Sequence, residues 1–95
     1  MKAKVVELRS ASKDLDRAPK NIVQAYEIWA RLVETHGVVI LREFKGYHDE
    51  KLAGNLKEYR SSRLNKKWRV VYRNTHHDTL EIIEVKAVTP HDYKL

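Results

Sequence analysis

Leu56-Lys57-Glu58-Tyr59-Arg60-Ser61-Ser62-Arg63-Leu64-Asn65-Lys66-Lys67-Trp68-Arg69-Val70-Val71-Tyr72-Arg73 reads as two β-strands joined by a short turn. With Asn65-Lys66-Lys67 as a three-residue loop, Leu64 faces Trp68, Arg63 faces Arg69, Ser62 faces Val70 and Arg60 faces Tyr72. Alternation then gathers Leu64, Trp68, Val70 and Tyr72 on one side, to pack on a helix, and Arg63, Arg69 and Arg73 on the other. A two-residue turn would separate Arg63 from Arg69. Like charges directly opposite one another destabilise a sheet, so an Arg63/Arg69 pairing points to a face kept for an anionic ligand.

Charge points the same way. From Lys57 to Arg73 the basic residues are Lys57, Arg60, Arg63, Lys66, Lys67, Arg69 and Arg73, against Glu58 alone. The chain carries 19 Lys and Arg against 13 Asp and Glu, a net +6. The hairpin therefore holds the whole excess, seven against one, and the rest of the chain cancels at twelve against twelve. Charge concentrated on one small element makes a directed field. Its natural partner is a polyanion: nucleic acid first, through counterion release, and an acidic protein segment second. A solvated hairpin with no partner is the bland alternative.

At 95 residues the chain is expected to form one domain, 1–95, with a single modest core. Charged residues at 34% and hydrophobic residues at 42% argue for a globular chain over a disordered one. No apolar run is long enough for a membrane span, and the N-terminal residues lack the pattern of a secretory signal, so a cytoplasmic location and no membrane partner are expected. The absence of cysteine excludes disulfides, thiolate metal sites and cysteine nucleophiles. His36, His48, His76, His77 and His91 are scattered, without the i, i+4 pairing of a zinc-binding helix, so neither a metal nor another cofactor is expected.

Outward from the hairpin, Val5-Val6-Glu7-Leu8 predicts a first strand. Ser10 to Arg17 predicts a helical turn with Ser10 or Ser12 as N-cap and Asp14 near the positive end of its dipole. Pro19 opens a longer helix in which Ile22, Tyr26, Trp29 and Val33 recur at helical spacing, and Gly37 closes it. Val38 to Phe44 fits a short helix or a strand equally. Residues 46–55, bounded by Gly46 and Gly54, predict a loop, Asn74 to Asp78 a second turn, and Thr79 to Val88 the last strand.

The segments Gly46-Tyr47-His48-Asp49-Glu50-Lys51-Leu52-Ala53-Gly54, Tyr59-Arg60-Ser61-Ser62-Arg63-Leu64, Trp68-Arg69-Val70-Val71-Tyr72 and His91-Asp92-Tyr93 together resemble the RelE/ParE superfamily of bacterial type II toxins, nearest the RelE and HigB messenger-RNA interferase branch. The resemblance implies an α+β fold, β-α-α-β-β-β, with a twisted antiparallel meander packed on an N-terminal helical hairpin. It implies a metal-free endoribonuclease that cuts messenger RNA in the A site of the 70S ribosome and is neutralised by a cognate antitoxin.

The same resemblance suggests roles. Arg69 matches the family's strand arginine, which would bind the scissile phosphate, with Arg63 or Arg60 as helper. Tyr93 matches the C-terminal tyrosine of the HigB type and would act as a base or stack on a nucleobase, with His91 as the other acid/base candidate. Here Asp92 intervenes, whereas in relatives the histidine adjoins the tyrosine. Lys51 would stabilise the transition-state phosphate, with Lys57 as a substitute, although Lys51 precedes Leu52 where relatives place a lysine after the leucine. Glu50 is a further candidate base. Lys57, Arg60, Arg63, Lys66, Lys67, Arg73 and His48 are the expected RNA and ribosome contacts. The alternatives are a ParE-like inhibitor of DNA gyrase and a non-catalytic RNA-binding module. The latter calls for exposed aromatic platforms, so exposure of Trp68 would favour it.

Overall fold

The computed structural model describes residues 2–90. In chain order these form β1 (Ala3–Glu7), α1 (Arg9–Arg17), α2 (Lys20–His36), α3 (Ile40–Glu43), β2 (Glu50–Lys51), β3 (Arg60–Arg63), β4 (Trp68–His77) and β5 (Leu80–Pro90), with 3₁₀ turns at Lys45–Tyr47 and Gly54–Leu56. Among these residues no helix is long and apolar enough to cross a membrane.

The apolar stripe of α2 is the core of the molecule. Ile22, Tyr26, Trp29 and Val33 are all buried, as their spacing predicts. Tyr26 stacks on Trp29 with ring centroids 5.7 Å apart, and Trp29 meets Tyr72 of β4 at 5.6 Å. This aromatic series joins helix to sheet, and each such pair adds about 0.5–1.5 kcal/mol beyond the apolar area it buries. Gly37 stops the helix with φ 85° and ψ 166°, a positive φ that a side chain would resist, although ψ is extended and not left-handed helical.

The strands form one mixed sheet in the order β1-β5-β4-β3-β2. The expected antiparallel meander is β3-β4-β5, and β1 joins its far side parallel to β5, with Ala3 to Glu7 beside Glu81 to Val85. The β3-β4 register is the one the three-residue loop predicts: Arg60 faces Tyr72, Ser62 faces Val70 and Arg63 faces Arg69. The Leu64 N–H donates to the Trp68 carbonyl at 2.8 Å. Asn65 shapes the loop, its Oδ1 accepting from the Lys67 and Trp68 N–H groups at 2.9 and 2.8 Å.

Two local expectations are corrected and one open alternative is resolved. The N-cap of α1 is Leu8, and Ser10 and Ser12 lie inside the helix without capping it. The Ser10 hydroxyl donates instead to the Lys86 carbonyl at 2.6 Å, and the Asp14 carboxylate accepts the Val88 N–H at 3.0 Å. Thus α1 covers the edge of β5 beyond the point where β1 stops pairing, and its polar residues satisfy strand backbone in place of helix backbone. Asn74 to His77 are strand, not turn; the reversal is confined to Asp78 and Thr79, with Asp78 at φ 55°. The ambiguous 38–44 stretch yields the short α3, which buries Ile40 and Leu41.

Two buried phenols tie these layers together. Tyr26 donates to Glu7 Oε2 and Tyr72 to Asp49 Oδ1, each at 2.6 Å. Burial, reinforced by the hydrogen bond and negative charge of each carboxylate, holds both hydroxyls well above the ordinary phenol range. In the unfolded chain these phenols ionise near pH 10, so above about that pH unfolding releases protons that the folded state retains. Their stabilising contribution is complete below that value and is lost as the pH rises past it. Urea unfolding as a function of pH is expected to show a steep fall in stability above about pH 10, shallower in Tyr26→Phe.

Candidate functional site

The sheet has one face against α2. No described helix packs on the second, open face, although Ser61, Arg69, Val71 and Ala87 along it are buried. Alternation along β4 sends Val70 and Tyr72 to the helix side and Arg69, Val71 and Arg73 to the open side, where Arg63 of β3 lies opposite Arg69. A bulge modifies β5: Val71 pairs with Ala87 and Tyr72 with Val85, leaving Lys86 as the extra residue. The bulge shifts the phase, so that Val85 and Val88 both face the core although they are three residues apart.

Lys86 thereby stands beside Tyr59 on the open face. Its ammonium lies 5.4 Å from the Tyr59 ring centroid, and the Arg73 guanidinium lies 5.5 Å from the same ring. Arg73 also donates to Glu84 Oε1 through Nη2 at 2.6 Å and Nε at 3.1 Å, across the strand pair. The Glu84 hydrogen bond, joined by the Tyr59 and Glu84 charges, raises the Arg73 pKa further above its usual value. Arg69 is 4% exposed, at the hairpin end of this face opposite Arg63. Paired guanidinium groups on one face suit a phosphate, because a fixed fork of donors binds tetrahedral oxygens without reorganising.

On the helix side, Asp49 collects three donors. Its carboxylate, 2% exposed, accepts from Arg60 Nε at 2.9 Å, the Tyr72 hydroxyl at 2.6 Å and the Ser62 hydroxyl at 3.4 Å. Burial works against the Arg60 cation, but the hydrogen bond and charge of Asp49 outweigh it and raise the Arg60 pKa. Arg60 is thus corrected from an RNA contact or helper of Arg69 to a partner of Asp49, because the register that pairs it with Tyr72 turns it away from the open face.

The remaining candidates separate as follows. Glu50 pairs with Ser61 and so stands on the Arg69 side of the sheet, whereas Lys51 pairs with Arg60 and stands on the other. His48 is exposed at φ 44°, 3.7 Å from Glu50. Lys57, Lys66 and Lys67 are exposed. His91 and Tyr93 lie outside the described residues. Tyr59, Lys86, Glu84 and Asp49 were not among the candidates, and only the bulge and the loop closure bring them into place. Trp68 is half-buried against the core with Leu64, and Tyr72 is fully buried, so neither offers a stacking platform. Among the described residues no group of three His, Cys, Asp or Glu is arranged to hold a metal ion.

No protein-family model matches the chain, and no curated protein sequence does. Solved structures do. The chain is similar to the YoeB/ParE toxin from Agrobacterium tumefaciens, at 24% identity and TM-score 0.70, over 93% of this chain and 98% of that one. It is similar to YafQ from E. coli, at 16% identity and TM-score 0.74, over 94% and 93%. It is similar to the toxin–antitoxin complex RelBE2 from Mycobacterium tuberculosis, at 18% identity and TM-score 0.70, over 96% and 100%. The chain shares the fold of these toxin structures, a small α+β domain with a five-stranded mixed sheet.

Removing the Asp49 carboxylate strands the Arg60 cation and the Tyr72 hydroxyl together. Asp49→Ala is expected to lower the unfolding free energy by about 3 kcal/mol, the low end for a broken buried pair because Arg60 is partly exposed. Chemical denaturation compared with Arg60→Ala and the double variant checks this, the double variant being less destabilised than the two losses added together.

Proposed function

We propose, with the RelE/ParE toxin fold as the premise, that this chain is the toxin of a type II toxin–antitoxin pair and a ribosome-dependent endoribonuclease that cuts messenger RNA without a metal. The observation that carries this reading is the placement of Arg69, buried and directly opposite Arg63 at the hairpin end of β3 and β4, on the same face of the sheet as Arg73. A solved neighbour, RelBE2, is a toxin–antitoxin complex, which supports a cognate antitoxin as partner here.

In the proposed reaction the ribose 2′-oxygen attacks the adjacent phosphorus. The new O2′–P bond forms as the P–O5′ bond breaks, leaving a cyclic phosphate and a free 5′-hydroxyl. A base removes the 2′-proton, an acid protonates the leaving 5′-oxygen, and each is worth about 10²–10⁴ in rate. Arg69 binds the non-bridging oxygens as their charge grows. Tyr93 and His91 are the proposed base and acid, with Glu50, on the same side of the sheet as Arg69, as the further base. Lys57 is proposed to approach the same phosphate, Lys51 standing on the other side of the sheet from Arg69, and Lys66, Lys67 and His48 to meet RNA or the ribosome. The inward packing of Trp68 and Tyr72 weighs against the non-catalytic RNA-binding module.

Mapping messenger-RNA 5′ ends on translating ribosomes after brief induction tests the reading. In-frame cuts at A-site codons are expected for the natural chain. Arg69→Lys, folded by circular dichroism, should reduce cutting by about 10²–10³ for the loss of a fixed transition-state donor. Tyr93→Phe should reduce it by about 10²–10⁴ for the loss of an acid/base group. Growth arrest with intact messages and accumulated DNA breaks would replace the interferase by a gyrase poison.

A further inference from the structure

A groove lies beside the open face, at the end of β3. Leu32 of α2, Phe44, Gly46 and Tyr47 of the turn after α3, and Arg63 and Leu64 line a cavity of about 460 Å³. Phe44 is 50% exposed there and meets Tyr47 edge-on, with ring centroids 6.3 Å apart and planes at 84°. An exposed phenylalanine held by an aromatic neighbour and backed by two leucines is a preformed apolar wall, and such walls mark interaction sites. In the same wall the Arg63 Nε is fully buried and has no hydrogen-bond partner among the described residues.

We infer that this groove seats an acidic amphipathic segment of a partner protein, whose apolar side chain fills the space between Leu32, Phe44, Tyr47 and Leu64 and whose carboxylate pairs with Arg63. The apolar lining takes a leucine- or phenylalanine-sized anchor, and a buried guanidinium nitrogen without an acceptor is costly until one arrives. Lys45 adds positive charge at the groove, whereas Glu43 repels the continuous phosphates of a nucleic acid. Protein therefore fits better than RNA. The inference rests on the toxin–antitoxin reading for the identity of its partner. It deepens that reading, because a carboxylate on Arg63 engages the residue directly opposite Arg69 and links partner binding to the proposed phosphate site.

The groove can be blocked without disturbing the core. A Cβ at Gly46 meets nothing within 4 Å, and Gly46 does not have a positive φ. The probes are a short helical peptide with leucine on one face and glutamate on the other, its lysine counterpart, and a single-stranded RNA oligonucleotide, each titrated into the isotope-labelled protein by NMR. The glutamate peptide should move the resonances of residues 43–47 and 63–64. Gly46→Trp and Arg63→Gln should each weaken it about tenfold or more, the latter by the loss of one charged hydrogen bond. Gly46→Trp should keep the growth arrest of the natural chain.

Equal binding of the lysine peptide, shifts confined to another surface, absence of peptide binding, or movement of these resonances by RNA and not by peptide would each overturn the inference. So would a folded Gly46→Trp that binds the peptide unchanged or that no longer arrests growth. If the natural chain causes no growth arrest, the toxin reading fails while the peptide titration still decides whether the groove takes an acidic segment.

Discussion

One buried carboxylate holds the functional half of this molecule together. Asp49 sits in the loop between the helices and the sheet, yet its oxygens reach Arg60 and Ser62 on β3 and Tyr72 on β4. A buried carboxylate is tolerable only when several donors replace its lost water, and these three donors come from two different strands. The loop is therefore pinned to the sheet on its helix side. That pinning leaves Glu50 on the Arg69 side of edge strand β2 and brings Phe44 and Tyr47 beside Leu64.

The two faces of the sheet divide the chemistry. On the helix side Tyr72 meets Trp29 and its hydroxyl donates to Asp49, so the aromatic there serves packing. On the open side Arg73 is neutralised by Glu84 and shares the Tyr59 ring with Lys86, so these cations are held in fixed positions on the face that carries Arg69. Fixed cations bind an anion at less entropic cost than flexible ones, which is why the same positive balance acts differently here and on the exposed hairpin loop of Lys66 and Lys67. The loop lysines add long-range attraction to a polyanion.

The edges of the sheet are managed by elements of different kinds. At one end β1 and then α1 cover β5, with the Ser10 hydroxyl and Asp14 carboxylate answering its backbone where β1 stops. At the other end β2 spans only Glu50–Lys51, so β3 is covered for part of its length and the groove opens beyond it. The short edge strand thus both limits unwanted strand pairing and leaves a recess where apolar and cationic side chains meet beside the open face.

Much of this was legible in the sequence, and the divide follows the range of the interactions. The α2 stripe of Ile22, Tyr26, Trp29 and Val33, the β3-β4 register and the gathering of charge on one hairpin depend on periodicity and a short loop, so neighbouring residues determine them. The family resemblance named the fold from the same local segments, and the structure bears it out. The serine caps were misread because a cap and an edge contact look alike until β5 is in place beside α1. Only the tertiary structure decided that β1 runs parallel to β5, that Arg60 belongs to Asp49, and that a bulge at Lys86 brings it to Tyr59. Those choices join residues far apart in the chain, and they are settled by which surfaces can be buried and which charges satisfied at once, a condition no local pattern contains.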